Sequence, residues 1–412
     1  MAVERLDCDA ASAAAAATAL RALLPTGASV AEAVAEIVFA VKSGGDASVL
    51  DLERRFGAGS GTLRVPQADL DAALAALDQP VRSALEVAYA NVAAVARASV
   101  AGDRDVDLPQ GHRVRLREVP VRRAGIYAPG GQAPYPSSVV MGVAAARAAG
   151  VAEVAVCASH PVMLAAAALC GADEVYRMGG AQAIAALAHG TETVRPVDVV
   201  AGPGSLYAQE AKRQVSGTVG IDGFAGPSDL VVIASDSAGA AVVALDALGQ
   251  AEHGAGTAVA VVSPDAALLD AVAARAGDPG EAVLALVHAA GLDAALAFSE
   301  AFAPEHLQLM GAGAEALAPQ VARAGCVFVG AGAGTAFGDY VAGSNHVLPT
   351  EGAARFASGL NARHFLRVMA EVHIPPAAAA QLAPLGAAIA RAEGFEAHAA
   401  SMDARLRENG AA

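Results

Sequence analysis

The chain has 412 residues, 55% of them apolar, with 27 Lys and Arg against 42 Asp and Glu for a formal charge of -15. That length exceeds one ordinary core and predicts about two to four domains or subdomains. The acidic balance argues against nucleic acid as the main partner, because neutralising phosphates needs clustered Lys and Arg. The apolar runs are broken by charge: VVMGVAAA stops at Arg147 and AAVVAL at Asp246. None has the length of a membrane span, so no membrane partner is expected. Acidic residues precede the alanine run near the N-terminus, unlike the cationic start of a secretory signal, and a cytoplasmic location follows. Cys8, Cys157, Cys170 and Cys326 form no C-x-x-C pair and predict neither a disulfide framework nor a cysteine zinc site.

Residues 1–27 read as a helical arm closed by Pro25-Thr26-Gly27. Three helical patterns follow: SVAEAVAEIVFAVKSGG with a Gly-Gly stop, QADLDAALAALD, and PVRSALEVAYANVAAVARAS. VRLREVPVRRAGIYAPGG then alternates as strand, turn and strand. From Ala124 strands and helices alternate, and after Pro227 the alternation resumes with LVVIAS, AVAVVS, LQLMGAG and CVFVG as strands. This rhythm predicts an α/β fold: two incomplete Rossmann-like units whose parallel-rich sheets are flanked by helices, with ligands at the carboxyl ends of the strands. From Asn361 the pattern reads as a small helical appendage interrupted by Pro375-Pro376.

Glycine turns follow several strands: YAPGGQAP, RMGGAQA, AGPGS, GAGAE and VGAGAGT. None is G-x-G-x-x-G with an acidic residue in the expected place; GAGAEA at 311–316 comes nearest and is read as a decoy. Any nucleotide would sit on a less standard Rossmann-like frame.

Three stretches could carry chemistry. Gln250 and His253 are three apart at a helix end, so they share a face; an imidazole beside an amide oxygen suits zinc if further ligands arrive from elsewhere. The bland alternative is a solvated polar helix end. Glu305 and His306 in FAPEHLQLM read as helical neighbours about 100° apart, able to serve two proton transfers around one substrate, or else as a polar helix end. Asp339 and His346 in FGDYVAGSNHVLPT suit a third metal ligand and a substrate contact. Asp222 and Ser228 flank the AGP turn, where Ser228 is either a substrate anchor or a turn residue. The other histidines, His112, His160, His189, His288, His364 and His373, have no partners at useful spacing and read as surface or structural. No G-x-S-x-G elbow is present, which weighs against a serine hydrolase.

Taken in order, the blocks GIYAPGG, APYPSSVVM, GGAQAIAALAHGTE, VDVVAGPGS, EAKRQVSG, GIDGFAGPSD, LGQAEHG, PEHL, GDYVAGSNHVLPT and RAEGFEAHA make the chain resemble a histidinol dehydrogenase from about Val119 to His398. The first hundred residues match only loosely. The resemblance implies a zinc ion held by Gln250, His253, Asp339 and His398, the last reaching the neighbouring subunit of a homodimer with exchanged C-terminal tails. It implies Glu305 and His306 as the catalytic pair, with Ser228, His346 and Glu393 as substrate contacts. Tyr127 and Gln182 would line an NAD site. Ser205 stands where the family has an NAD-contacting asparagine, and Asp229 where it often has a glutamate. The implied domains are an arm at 1–27, a discontinuous catalytic and metal domain at 28–123 with 231–360, an inserted NAD domain at 124–230, and a tail at 361–412. The implied reaction is oxidation of L-histidinol to L-histidine through L-histidinal, with two NAD+ reduced. The alternatives are a paralogue acting on another small polar alcohol and a non-catalytic metal-binding protein on the same scaffold.

Overall fold

A computed structural model describes residues 3–24, 30–57, 61–130, 133–223 and 226–409. In chain order the elements are β1 (Glu4–Cys8), α1 (Ala13–Arg21), α2 (Ala31–Phe56), α3 (Gln67–Ala75), α4 (Gln79–Ala98), β2 (Arg104–Asp107) and β3 (Arg113–Pro120). Next come β4 (Arg123–Tyr127), α5 (Pro136–Ala148), β5 (Glu153–Cys157), α6 (Pro161–Leu169), β6 (Glu174–Tyr176), α7 (Gly180–His189), β7 (Val199–Ala201), α8 (Leu206–Val215) and β8 (Gly220–Ile221). They continue as β9 (Asp229–Ala234), α9 (Ala240–Ala251), β10 (Ala258–Ser263), α10 (Ala266–Ala273), β11 (Val283–Ala289), α11 (Leu292–Phe302) and β12 (His306–Met310). The last are α12 (Ala312–Glu315), β13 (Cys326–Val329), α13 (Thr335–Tyr340), β14 (Leu366–His373), α14 (Pro376–Ala392) and α15 (Glu396–Asn409). Among the described residues, no helix is long and apolar enough to cross a membrane.

The larger unit comprises residues 1–99 and 121–365. It holds a six-stranded sheet in the order β1-β11-β10-β9-β12-β13 and a five-stranded sheet in the order β6-β5-β4-β7-β8. Among the described residues, the named strands of both sheets pair in parallel. The continuous apolar runs of β9 and β10 are buried throughout, as strands covered by helices on both faces must be. On β9, Val231 and Ile233 face the core beneath α1 and α11, while Leu230 and Val232 face α9 and α10. The smaller unit, residues 100–120 and 366–412, joins the antiparallel sheet β14-β3-β2 to the helical hairpin α14–α15.

Three local readings change. The arm opens with β1, paired with β11, not with a helix; its charged residues mask an edge strand that buries only Cys8. The Gly-Gly stop does not end α2. Gly45 takes φ 54°, and Glu192 accepts from the Asp46 amide while the Asp46 carboxylate accepts from Thr191 and Thr193, so the helix kinks and runs on to Phe56. The stretch HFLRVMAEVHIP contains β14, not a helix, because Leu366–His373 pairs residue for residue with β3.

Candidate active site

The five-stranded sheet presents the carboxyl ends of its strands. Tyr127 is the last residue of β4, Gly179 and Gly180 follow β6, and Gly202 to Ser205 follow β7. The six-stranded sheet presents the opposite ends: Ser228 immediately precedes β9, and Glu305 and His306 open β12. All these positions except Gly202 line one cleft of about 1950 Å³, together with Gln250, His253, Asp339 and His346. The cleft therefore meets the carboxyl ends of the strands in one sheet and the amino ends in the other. The returning helix α9 and the short α13 carry Gln250 and Asp339 back to the amino ends of β9 and β12.

Glu305 and His306 are not on a helix. Ala303, at φ 49°, caps α11, Pro304 follows, and His306 is the first residue of β12. Glu305 is 6% exposed and fixed on several sides. Ser228 Oγ donates to its Oε2 at 2.5 Å and the Asp229 amide donates to the same oxygen at 3.1 Å. Its own amide donates to Asp229 Oδ1 at 2.6 Å. Gln250 Nε2 donates to Ser228 Oγ, so one hydroxyl links helix α9 to the acid.

The His306 ring, 2% exposed, lies between two carboxylates. Nδ1 is 3.6 Å from Glu305 Oε2 and Nε2 is 3.7 Å from Asp339 Oδ1, too long for good hydrogen bonds but close enough for charge to act. Burial opposes a charged imidazole, yet Glu305 and Asp339 outweigh it and hold the ring's pKa well above its ordinary value. Burial also raises Asp339, but contact with His306 and the nearby His346 and His253 leave its carboxyl below the usual range, hence anionic. His346 is tuned the other way: burial lowers it. Its Nδ1 is 3.0 Å from the Asp339 carbonyl, which can only accept, so Nδ1 carries the proton and Nε2 accepts from Ser138 Oγ, also at 3.0 Å.

The residues present fit a zinc ion in part. His253 and Asp339 offer an imidazole nitrogen and a carboxylate, and Gln250, with its nitrogen engaged by Ser228, keeps an amide oxygen. This is one ligand short of a four-coordinate set, and among the described residues no three His, Cys, Asp or Glu side chains gather as a metal cluster. Glu393 and His398 belong to the smaller unit. Glu393 caps α14, and the His398 ring on α15 stacks obliquely on Phe395, centroids 5.3 Å apart; both are exposed.

The residues expected to contact a dinucleotide line the same cleft. Tyr127 is 5% exposed, and burial pushes its hydroxyl up to about 12; Gly180 N donates to it at 3.1 Å. Gln182 is 4% exposed. Ser205 is the N-cap of α8 and makes no side-chain capping bond. The turn before it is clamped by a buried pair: Lys212 Nζ donates to Gly202 O at 2.9 Å and to Asp222 Oδ1 at 2.6 Å, and Gly202 N donates to Asp222 Oδ2 at 2.7 Å. Gly202 has φ 135°, and a Cβ there would fall 1.9 Å from the Tyr127 carbonyl oxygen. Glu53, Ser138 and Lys212 were not read as site residues; each sits in an ordinary helical pattern that gives no signal. Two of the histidines set aside above have structural roles: His160 accepts from Val162 N at the start of α6, and His364 from Asn361 N.

Parallel sheets facing one cleft, with a buried acid–imidazole pair on one side and glycine turns opening helices on the other, define an α/β enzyme. The family model for histidinol dehydrogenase matches residues 25–406. The histidinol dehydrogenase of Ruegeria pomeroyi is 42% identical over 400 residues, 92% of each chain. That of Halobacterium salinarum is 43% identical over 395 residues, 91% of this chain and 93% of its own. The crystal structure of the histidinol dehydrogenase from Elizabethkingia anophelis superposes with a TM-score of 0.89 at 28% identity, covering 94% of each chain. This chain belongs to the histidinol dehydrogenase family and is an oxidoreductase.

Proposed function

We propose that this chain oxidises L-histidinol through L-histidinal to L-histidine, passing a hydride to NAD+ in each of two steps. The observation that carries this reading is the buried Glu305–His306 pair, held by Ser228 and Asp229 at the wall of a cleft whose opposite wall bears Tyr127 and Gln182. In the first step the neutral form of His306, made a stronger base by Glu305 and Asp339, takes the alcohol proton as the carbinol carbon gives up its hydride. In the second, Glu305 takes a proton from water as the oxygen adds to the aldehyde, and the hydrate gives up the second hydride. Ser228 keeps Glu305 aimed, and His346 meets the substrate as a neutral imidazole.

Gln250, His253, Asp339 and the partner subunit's His398 would hold a zinc ion, which would supply Lewis-acid anchoring of the substrate and carry no electrons. Glu393 contacts the substrate from the same exchanged tail, which makes the homodimer the catalytic unit. Tyr127, Gln182 and Ser205 contact the dinucleotide. In this reading residues 124–230 form the dinucleotide half and residues 28–123 with 231–360 the metal and substrate half.

The test is NADH formation by zinc-loaded enzyme across a panel of small polar alcohols. L-histidinol should be turned over far faster than the others. Faster turnover of a different alcohol, with L-histidinol inert, refutes the substrate.

A further inference from the structure

The carboxylate of Glu53 reaches the cleft from the second half of α2 and is 3% exposed. Its Oε1 accepts from the Gly179 amide at 2.8 Å and from Gln182 Nε2 at 2.8 Å. Burial raises its pKa, an effect these two donors moderate. Gly179 is the N-cap of α7, and the next amide, Gly180 N, is taken by the Tyr127 hydroxyl oxygen. Two of the donors that a helix start would offer to a diphosphate are thus taken by the protein's own groups.

Two hydrogen-bond polarities follow. A carboxylate only accepts, so Gln182 must turn its nitrogen toward Glu53 and its oxygen away, where it packs beside Gly180; a Cβ on Gly180 would lie 2.9 Å from that oxygen. The Tyr127 oxygen accepts from Gly180, which leaves its own proton to be donated elsewhere. Together they form an acceptor–donor pair at the cleft wall, complementary to a carboxamide, an adenine edge or a ribose hydroxyl.

We propose that Glu53 is a positioning residue for the dinucleotide: it fills the amino end of α7 and fixes the Gln182 carbonyl as the acceptor presented to the cofactor, so that NAD+ is held there by a ring or ribose edge and not by its diphosphate. This rests on the assignment of Tyr127 and Gln182 to the dinucleotide.

The test is the dissociation constant of NAD+, measured by titration calorimetry on zinc-loaded enzyme without substrate. Glu53→Ala and Glu53→Met should bind NAD+ about 10- to 100-fold more weakly, the loss expected when a buried hydrogen-bonding group is left misdirected. Glu53→Gln keeps an acceptor oxygen and should stay within about threefold of wild type. The KM for L-histidinol should change less than about twofold in all three. Because Glu53 acts through Gln182, adding Glu53→Ala to Gln182→Ala should weaken binding no further. Thermal melting identifies the folded variants, and Glu53→Met, which fills the vacated volume, carries the test if Glu53→Ala does not fold. Wild-type affinity in a folded Glu53→Met, or losses that multiply in the double variant, overturns the role of Glu53 alone. Unchanged affinity in Gln182→Ala overturns the dinucleotide assignment as well.

Discussion

Asp229 and Glu305 hold each other in a reciprocal pair: the Glu305 amide donates to Asp229 Oδ1 at 2.6 Å, and the Asp229 amide donates to Glu305 Oε2 at 3.1 Å. The exchange joins the start of β9 to the start of β12, which are neighbours in the sheet. It fixes the backbone and side chain of Glu305 through one residue. Behind it, Arg21 Nη1 lies 3.4 Å from Asp229 Oδ2, and its guanidinium stacks 4.0 Å over the Phe302 ring. Burial pushes the Asp229 carboxyl up to about 7, with Arg21 pulling against it.

Asp229→Ala should therefore cost stability and catalysis together. Losing a buried acceptor predicts about 1–3 kcal/mol of destabilisation. Misplacing Glu305 should slow oxidation of supplied histidinal more than oxidation of L-histidinol. Asp229→Asn keeps the acceptor for Glu305 N and should retain most of the activity. Denaturant melts and separate half-reaction assays check this; equal activity in the Asn and Ala variants would show that the reciprocal bonds do not position Glu305.

The catalytic pair should divide by half-reaction. Glu305→Gln should spare alcohol oxidation relative to aldehyde oxidation, and His306→Asn should strike the alcohol step. Each affected step should fall by roughly 10²–10⁴, the usual worth of a general base. Stopped-flow traces started from L-histidinol and from histidinal separate the two. Equal losses in both steps for both variants would remove the division of labour.

How much of this was legible depends on the residue. The strand–helix rhythm from Ala124 onward gave the α/β architecture, because buried parallel strands write themselves as apolar runs. Glu305 and His306 were visible as a polar pair, but their helical placement was not correct. The alternation that puts Leu307 and Leu309 on one face and Met310 on the other starts only after them, so the strand start had no local signal. Gln250, His253 and Asp339 declared themselves as ligand types, yet their convergence depends on two helices returning to the same sheet edge. Glu53 was illegible: between Leu52 and Arg54 it looks like any helical surface acid, and only the tertiary approach of α2 to α7 buries it.

Acid stability should depend on Glu174. Burial raises its carboxyl, but bonds from the Tyr176 hydroxyl at 2.6 Å, from Arg123 and from Arg195 at 3.1 Å bring it down to about 2 from an ordinary 4.5. A folded pKa below the unfolded one stabilises the fold above about pH 4.5 and loses that contribution as pH falls toward 2. Melting temperature should fall across that window in the wild type and more shallowly in Glu174→Gln. That variant should also be less stable at neutral pH, since it removes one of the two carboxylates that face the buried Arg123 and leaves Glu153 alone. Parallel acid profiles for the two proteins would contradict this.

The proposal that tails are exchanged between subunits makes a mixing prediction. His306→Asn and His398→Asn homodimers should each be nearly inactive. Refolded together, a mixed dimer has one site with both defects and one with neither. Random mixing should restore roughly a quarter of wild-type activity. Demonstrated subunit exchange with no recovery would place His398 in its own subunit's site.

The most direct measurement is stoichiometry. A limiting, known amount of L-histidinol is exhausted by zinc-loaded enzyme with excess NAD+, NADH is quantified by absorbance, and the product is identified by mass spectrometry. The account predicts two NADH and one L-histidine for each L-histidinol, with no free aldehyde accumulating. One NADH per L-histidinol with histidinal as the end product, or no NADH at all, would contradict it.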